Sequence, residues 1–253
     1  MTHATNVLKK TALITLLGSS VLFNIAYAKE YSSQVEATDV LELFSSEGCS
    51  SCPPAERWLS TFKDKPEVFK DVIPMAFHVD YWDYIGWKDR FAKAEYSTRQ
   101  RDYVRNGNVS QSYTPQLVAN SGEWQQWHRG QRVWKNNAKN VGVLKAVVAD
   151  ATDKVSVNFN PQQTANSGTY VLNVAILGMG LSTQVNAGEN HGELLKHDFV
   201  VLNHQKQAVN AATNQWEVAM PSIPKSGQKQ NAVVVWLSQV GSQQVIQATG
   251  GYL

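Results

Sequence analysis

The stretch "DVLELFSSEGCSSCPPAERWL", residues 39–59, constrains this chain more than any other. Val40, Leu41, Leu43 and Phe44 predict a buried strand, and Gly48 ends it. Pro53 and Pro54 then open a run in which Ala55, Trp58, Leu59 and Phe62 recur at helical spacing. Prolines in a first helical turn cost little, because the early N–H groups have no intrahelical partner. Cys49 and Cys52, the only two cysteines, fall at the joint. The order is strand, tight turn, Cys-x-x-Cys, helix. Such a pair is a redox centre, half of a metal site, or a staple. The staple is the weakest reading, since closing so short a loop removes only roughly 2 kcal/mol of unfolded-state entropy.

Compartment narrows the choice. Lys9 and Lys10 precede an uncharged, mostly apolar run from Thr11 to Ile25, and Ala26-Tyr27-Ala28 follows as a small-x-small site. This layout predicts a secretory signal peptide over residues 1–28, cleaved near Ala28, and a periplasmic or secreted mature protein. The apolar run is short for a bilayer span, which needs roughly 20 residues. No later segment is long and apolar enough to cross a membrane. Cleavage removes two of the 23 basic residues and none of the 21 acidic ones, leaving the mature chain without net charge. That balance points away from nucleic-acid and anionic-membrane partners. Export also places the cysteines where disulfides persist.

Further along, residues 71–82 read as a second buried strand and residues 87–107 as a polar helix stopped by Gly107. "PQLVAN" and "EWQQW" flank Asn120-Ser121-Gly122 as a hairpin-like pair, and residues 130–151 read as a helix. The order β-α-β-α-β-β-α fits an α/β sandwich. From about residue 153, short apolar or alternating runs separated by Gly, Asn, Ser and Pro give an all-β pattern. The expected organisation is an α/β domain over residues 37–152 followed by a β-rich, sandwich-like domain over 153–253.

A helix N-terminus favours thiolate over thiol, so Cys49 is the candidate nucleophile and Cys52, one turn in, the resolving thiol. If the strands over 39–45 and 72–79 are parallel, their carboxyl ends share one sheet edge, where open α/β sheets place their sites. His78, Asp80, Tyr81 and Trp82 then lie near Cys49. Asp80 is a candidate for proton transfer during exchange, and Tyr81, Trp82, Tyr84 and Trp87 for the floor of a groove. Packing of the aromatics as a satellite core, with Asp80 capping locally, is the plain alternative.

Strand, Cys-x-x-Cys, helix resembles the thioredoxin arrangement, and "YTPQLV" resembles its Thr-Pro hallmark. The resemblance implies a thioredoxin-like fold, a cis Pro115 facing the cysteines, and a Thr114 backbone that pairs with an extended substrate segment. "LFSSEGCSSCPPAERWL", "FHVDYWDYIGWKDRFA", "YTPQLV" and "GENHG" together resemble a family of exported bacterial proteins, domain of unknown function 1223. That family implies no substrate. The expected function is thiol-disulfide exchange on a protein or small thiol, without a cofactor and with a separate redox partner to recharge the pair. Ser50-Ser51 leaves its direction open. Two rivals stand beside it. One is a copper or zinc protein using Cys49, Cys52 and His78, with His128 as a possible fourth ligand. The other is a ligand-binding module with a vestigial Cys-x-x-Cys. His191, His197 and His204 are spaced too widely for a compact local motif. "AGENHGELLKHDFVVLNH" either packs beside the cysteines or is a plain surface loop.

Overall fold

The computed structural model describes residues 1, 28–136, 139–149, 153–162 and 168–253. The expected leader falls almost wholly on residues 2–27, outside the described residues, as do residues 150–152 of the expected boundary. Among the described residues, no helix is long and apolar enough to cross a membrane.

The first strands are β1 (Ala28–Ser32) and β2 (Asp39–Ser45). All seven residues of β2 are buried, as the apolar run predicts. Helix α1 (Pro53–Ser60) starts on the two prolines and buries Ala55, Trp58 and Leu59, and β3 (Val72–His78) runs parallel to β2 in register from Asp39↔Val72 to Ser45↔His78. A 3-10 helix (Asp80–Ile85) leads to α2 (Ala94–Arg105). A cis Thr114–Pro115 bond precedes β4 (Gln116–Ala119), which pairs antiparallel with β2 and with the two-residue β5 (Gly122–Glu123). The expected hairpin at Asn120-Ser121-Gly122 is present only as this short pair, since Gln125–Trp127 of the expected second strand form a 3-10 helix.

The remaining elements are strands: β6 (Gly142–Ala149), β7 (Lys154–Pro161), β8 (Thr169–Met179), β9 (Leu181–Gln184), β10 (Leu194–His197), β11 (Val200–Asn210), β12 (Gln215–Ala219), β13 (Gln230–Gln239) and β14 (Val245–Tyr252). The helix expected over 130–151 is replaced by β6. Gly142, Leu144, Ala146 and Val148 are buried and alternate with less buried neighbours, the period of a strand.

The expected fold class is corrected. A thioredoxin-like α/β domain followed by a separate all-β sandwich is not what forms. Of the described residues, 45% are in strands and 17% in helices. Eight strands make one sheet in the order β14-β13-β8-β11-β3-β2-β4-β5, so strands from both halves of the chain share it. A four-stranded sheet, β1-β6-β7-β12, lies over one part of it. The physical reason is the free edge of β3. An unpaired strand edge invites pairing, and β11 supplies it through the Val200↔Ala76 register and an Ala76 N–H to Phe199 O bond of 2.8 Å. Strands β8 and β13 then have no polar face. Ala175, Leu177, Val234 and Trp236 enter the core shared with β2, β3 and the helices. Leu172, Val174, Ile176, Val233, Val235 and Leu237 enter the core under β6 and β7.

Candidate functional site

Cys49 and Cys52 form a disulfide, with Cα atoms 5.4 Å apart. The turn is closed by Cys52 N–H to Cys49 O at 3.2 Å, and Cys52 is the N-cap of α1. The helix therefore begins at Cys52, three residues later than Cys49. Both cysteines are fully buried while Ser50 and Ser51 are exposed. Cys49, the candidate nucleophile, is thus no more exposed than Cys52. Its Sγ lies 3.3 Å from Ser51 Oγ.

Three segments gather at this end of β2. Gly48 approaches the 3-10 helix so closely that an added Cβ would stand 3.1 Å from Trp82 Cβ and 3.2 Å from Ile85 Cδ1. Trp82 Nε1 donates to Thr114 Oγ1 at 2.8 Å, which ties that helix to the cis Thr114–Pro115 segment. Gln100 of α2 holds the same segment by donating to Tyr113 O and Gln116 Oε1, both at 2.8 Å. Asp80 is committed elsewhere: Ser97 Oγ donates to its carboxylate at 2.5 Å, and its own N–H donates to Ser97 Oγ at 3.1 Å. Tyr81 is half-buried, and loss of water pushes its phenol up to about 12.

The third segment is the "GENHG" loop, and it docks on the cysteine turn. Asn190 Nδ2 donates to Glu47 O at 2.8 Å and to Cys49 O at 3.1 Å. Ser50 N–H donates to Glu189 Oε2 at 3.0 Å, and this bond together with the Ser50 hydroxyl holds the Glu189 carboxyl below its usual range. Gly188 has φ +74°, and an added Cβ would also stand 3.1 Å from Ile85 Cδ1. A side chain at that position would meet both backbone strain and a packed neighbour.

Beneath the turn lies a buried ionic cluster that the sequence reading did not assemble. Glu47 precedes the turn, Glu56 sits in α1, His78 ends β3, Asp89 follows the 3-10 helix, and His197 ends β10. All are at most 6% exposed. His78 Nδ1 and Asp89 Oδ2 lie 2.6 Å apart, and His78 Nε2 is 3.6 Å from Glu56 Oε1. His197 Nδ1 makes a short bond to Glu56, and its Nε2 stands 3.3 Å from Glu47 Oε1. The imidazoles meet edge to face at 5.2 Å, with Phe91 against both. Ser45 Oγ donates to Glu56 Oε1, Trp87 Nε1 donates to Glu47 Oε2, and the Glu47 N–H donates to Asp89.

Burial alone would lower the His197 pKa, but the Glu56 and Glu47 carboxylates push it up to about 10. His78 is raised against the same burial by Asp89 and Glu56. Burial would raise Glu56, but His197 and His78 hold it below its ordinary value. Asp89 is likewise lowered against burial by His78.

A cavity of about 420 Å³ opens onto this cluster between the turn and the 189–197 segment, lined by Ser50, Pro53, Glu56, Asn190 and His197 among others. A larger hollow, about 650 Å³, is lined by Thr38, Asp39 and Tyr170. It lies at the opposite end of β2 from the cysteines, roughly 20 Å away by strand rise. The cluster and the smaller cavity therefore belong to the cysteine end. His128, the possible fourth ligand of a cysteine metal site, is exposed, with Nε2 3.4 Å from Tyr113 Oη.

The sequence held a signal for part of this cluster. Glu47 and Glu56 are acids inside an otherwise apolar or small-residue motif, and Asp89 lies in the aromatic stretch. Nothing in the sequence placed His197 with them, because β10 reaches α1 only through the tertiary fold.

The family described as "Protein of unknown function (DUF1223)" matches residues 40–238. Protein AGR_C_4864 from Agrobacterium tumefaciens has a similar structure, at 24% identity and a TM-score of 0.59, over 85% of this chain and 94% of that one. HBP35 of Porphyromonas gingivalis is similar at 13% identity and a TM-score of 0.52, over 87% of this chain and 76% of that one. No curated protein matches the chain.

Proposed function

This chain belongs to the DUF1223 family, and from that premise, which supplies no activity, we propose that it is an exported thiol-disulfide oxidoreductase. The observation that carries the reading is the closed Cys49–Cys52 disulfide at the N-cap of α1. A bond across so short a loop adds little stability, yet a docked loop and a 3-10 helix pack on the turn that carries it, and the Thr114–Pro115 segment is tied to that helix through Trp82.

In the oxidising direction, a substrate thiolate attacks Cys49 Sγ. The Cys49–Cys52 bond breaks, a mixed disulfide to Cys49 forms, and Cys52 leaves as thiolate. A second substrate thiolate then attacks the mixed disulfide on its substrate sulfur, releasing substrate disulfide and leaving both cysteines reduced. Two electrons pass to the protein, and the two substrate protons are released or taken up by its thiolates. The reducing direction is the reverse. A separate redox partner restores the starting state, because the chain has no second cysteine pair. Thr114 and Pro115 orient the substrate strand, Trp82 and Tyr81 wall the site, and Asp80 positions that wall through Ser97. A substrate must displace the Ser50-Ser51 cover to reach the buried sulfurs.

The test is trapping. Cys52→Ser should accumulate mixed disulfides through Cys49, while Cys49→Ser should abolish exchange. Titration of the wild-type protein in thiol/disulfide buffers should give one two-electron couple. Trapping only in Cys49→Ser would reverse the nucleophile order. A pair that never exchanges with any thiol buffer in the folded state would remove the function.

A further inference from the structure

We propose that Glu56, His78 and His197 form a binding site for a divalent transition-metal cation, with Zn²⁺ the ion whose chemistry the donors fit best. The site goes beyond the exchange reading and does not rest on it, since no cysteine is among its ligands. One donor atom from each of the three residues lies within 4.8 Å of the other two, and all three side chains are buried.

One buried ring nitrogen points to a missing partner. His78 Nε2 has no hydrogen bond and faces the Glu56 carboxylate beyond hydrogen-bond distance. An unsatisfied buried polar atom costs about 1–3 kcal/mol, so a shared ligand between that nitrogen and the carboxylate would satisfy both. Two histidines and a glutamate are a zinc donor set with room for one more ligand, and zinc bonds of about 2.0–2.1 Å in a tetrahedron separate donors by about 3.3 Å. The His78 Nε2–Glu56 Oε1 spacing is 3.6 Å. Glu47 Oε1, 3.3 Å from His197 Nε2, is within reach as a fourth donor.

The surroundings are those of a metal ligand set. Asp89 sits 2.6 Å from His78 Nδ1 and in turn receives the Glu47 and Phe91 N–H groups. A carboxylate on the far nitrogen fixes the tautomer that offers Nε2 to a metal. Glu47, Glu56 and Asp89 bring three carboxylates to a dry space, and a divalent cation offsets two of their charges. The cavity lined by Glu56 and His197 is an entry path.

The experiment uses the oxidised protein, in which no thiolate is free to bind metal. After treatment with EDTA, equilibrium dialysis against Zn²⁺ with elemental analysis should give about one ion per chain. Cys49→Ser/Cys52→Ser should bind zinc equally well. His197→Gln should weaken binding by at least roughly a hundredfold, and Asp89→Asn, which leaves the donors in place, by roughly ten- to a hundredfold. Co²⁺ bound to the wild type should show the visible bands of tetrahedral nitrogen and oxygen ligation without a sulfur charge-transfer band, a readout independent of any variant's folding. No zinc above buffer would overturn the site, leaving a hydrogen-bonded ion network. Binding lost with the cysteines, retained at full strength in His197→Gln, or marked by a sulfur band would overturn it equally. Failure of disulfide exchange with zinc binding intact would sink the proposed function alone.

Discussion

Asn190 is the residue on which the cysteine turn leans most. Its amide donates to two backbone carbonyls, those of Glu47 and Cys49, in a buried setting. Asn190→Ala leaves both without these donors, and the loss should be about 1–3 kcal/mol in denaturant unfolding of the oxidised protein. A change under about 0.5 kcal/mol would mean that the loop does not hold the turn. His204 gives a pH prediction. Its ring stacks on Trp236 at 5.2 Å and bonds Asn173 Oδ1 at 3.1 Å. Loss of water, with Arg99, Lys206 and Lys93 nearby, holds its pKa well below 6.5. The unfolded chain binds a proton near pH 6.5 that the native protein refuses. The resulting stability is present above that pH and is lost as pH falls toward the depressed folded value. Between about pH 7 and pH 5, His204→Gln should therefore lose less stability than the wild type in parallel chemical melts. Equal losses would refute the assignment.

Helix α2 is joined to β2 by a buried fork. Arg99 Nε and Nη2 donate to Glu42 Oε2 and Oε1 at 2.7 and 2.6 Å, and Tyr103 Oη donates to Glu42 Oε1 at 2.7 Å. Burial would lower the Arg99 pKa, but Glu42 raises it and the guanidinium stays charged. Glu42→Gln keeps the shape and strands that charge, so stability should fall by about 3–5 kcal/mol. A loss below about 1 kcal/mol would show that water reaches the arginine. Glu42 also illustrates what the sequence left unreadable. An acid in an apolar strand has no visible partner until α2 is folded against it. Elements whose signal is local were legible: β2, α1, β3 and the β4–β5 hairpin follow from short apolar runs, Pro53-Pro54 and Asn120-Ser121-Gly122. Strand β6 was not. "GVLKAVVA" satisfies helical and alternating patterns alike, and pairing with β1 and β7 decides between them. The cysteine turn was legible for the same local reason, whereas His197, Glu189 and Asn190 reach it only through the fold.

Across the whole molecule, the eight-stranded sheet joins the two halves at the β3–β11 seam, where one register pair is made. The seam is narrow in backbone terms and broad in side chains, since the principal core runs through it from Phe77 and Tyr96 to Trp236. A fragment covering residues 29–152 would expose the β3 edge and lose His197, Glu189 and Asn190 from the cysteine end. It should unfold without a cooperative transition and should not reproduce the wild-type redox couple. A fragment that melts cooperatively with that couple would mean that the β-rich half is dispensable. The loop docked on the cysteine turn has a consequence for how such a chain can vary over time. Ser50 and Glu189 touch across a separation of 139 residues. A genetic crossover falling between them would join a turn from one parent to a loop shaped against another's. Recombinants with breakpoints between residues 53 and 187 should therefore be inherited at a disadvantage, and changes at the turn should be tolerated chiefly in lineages that have already changed the loop.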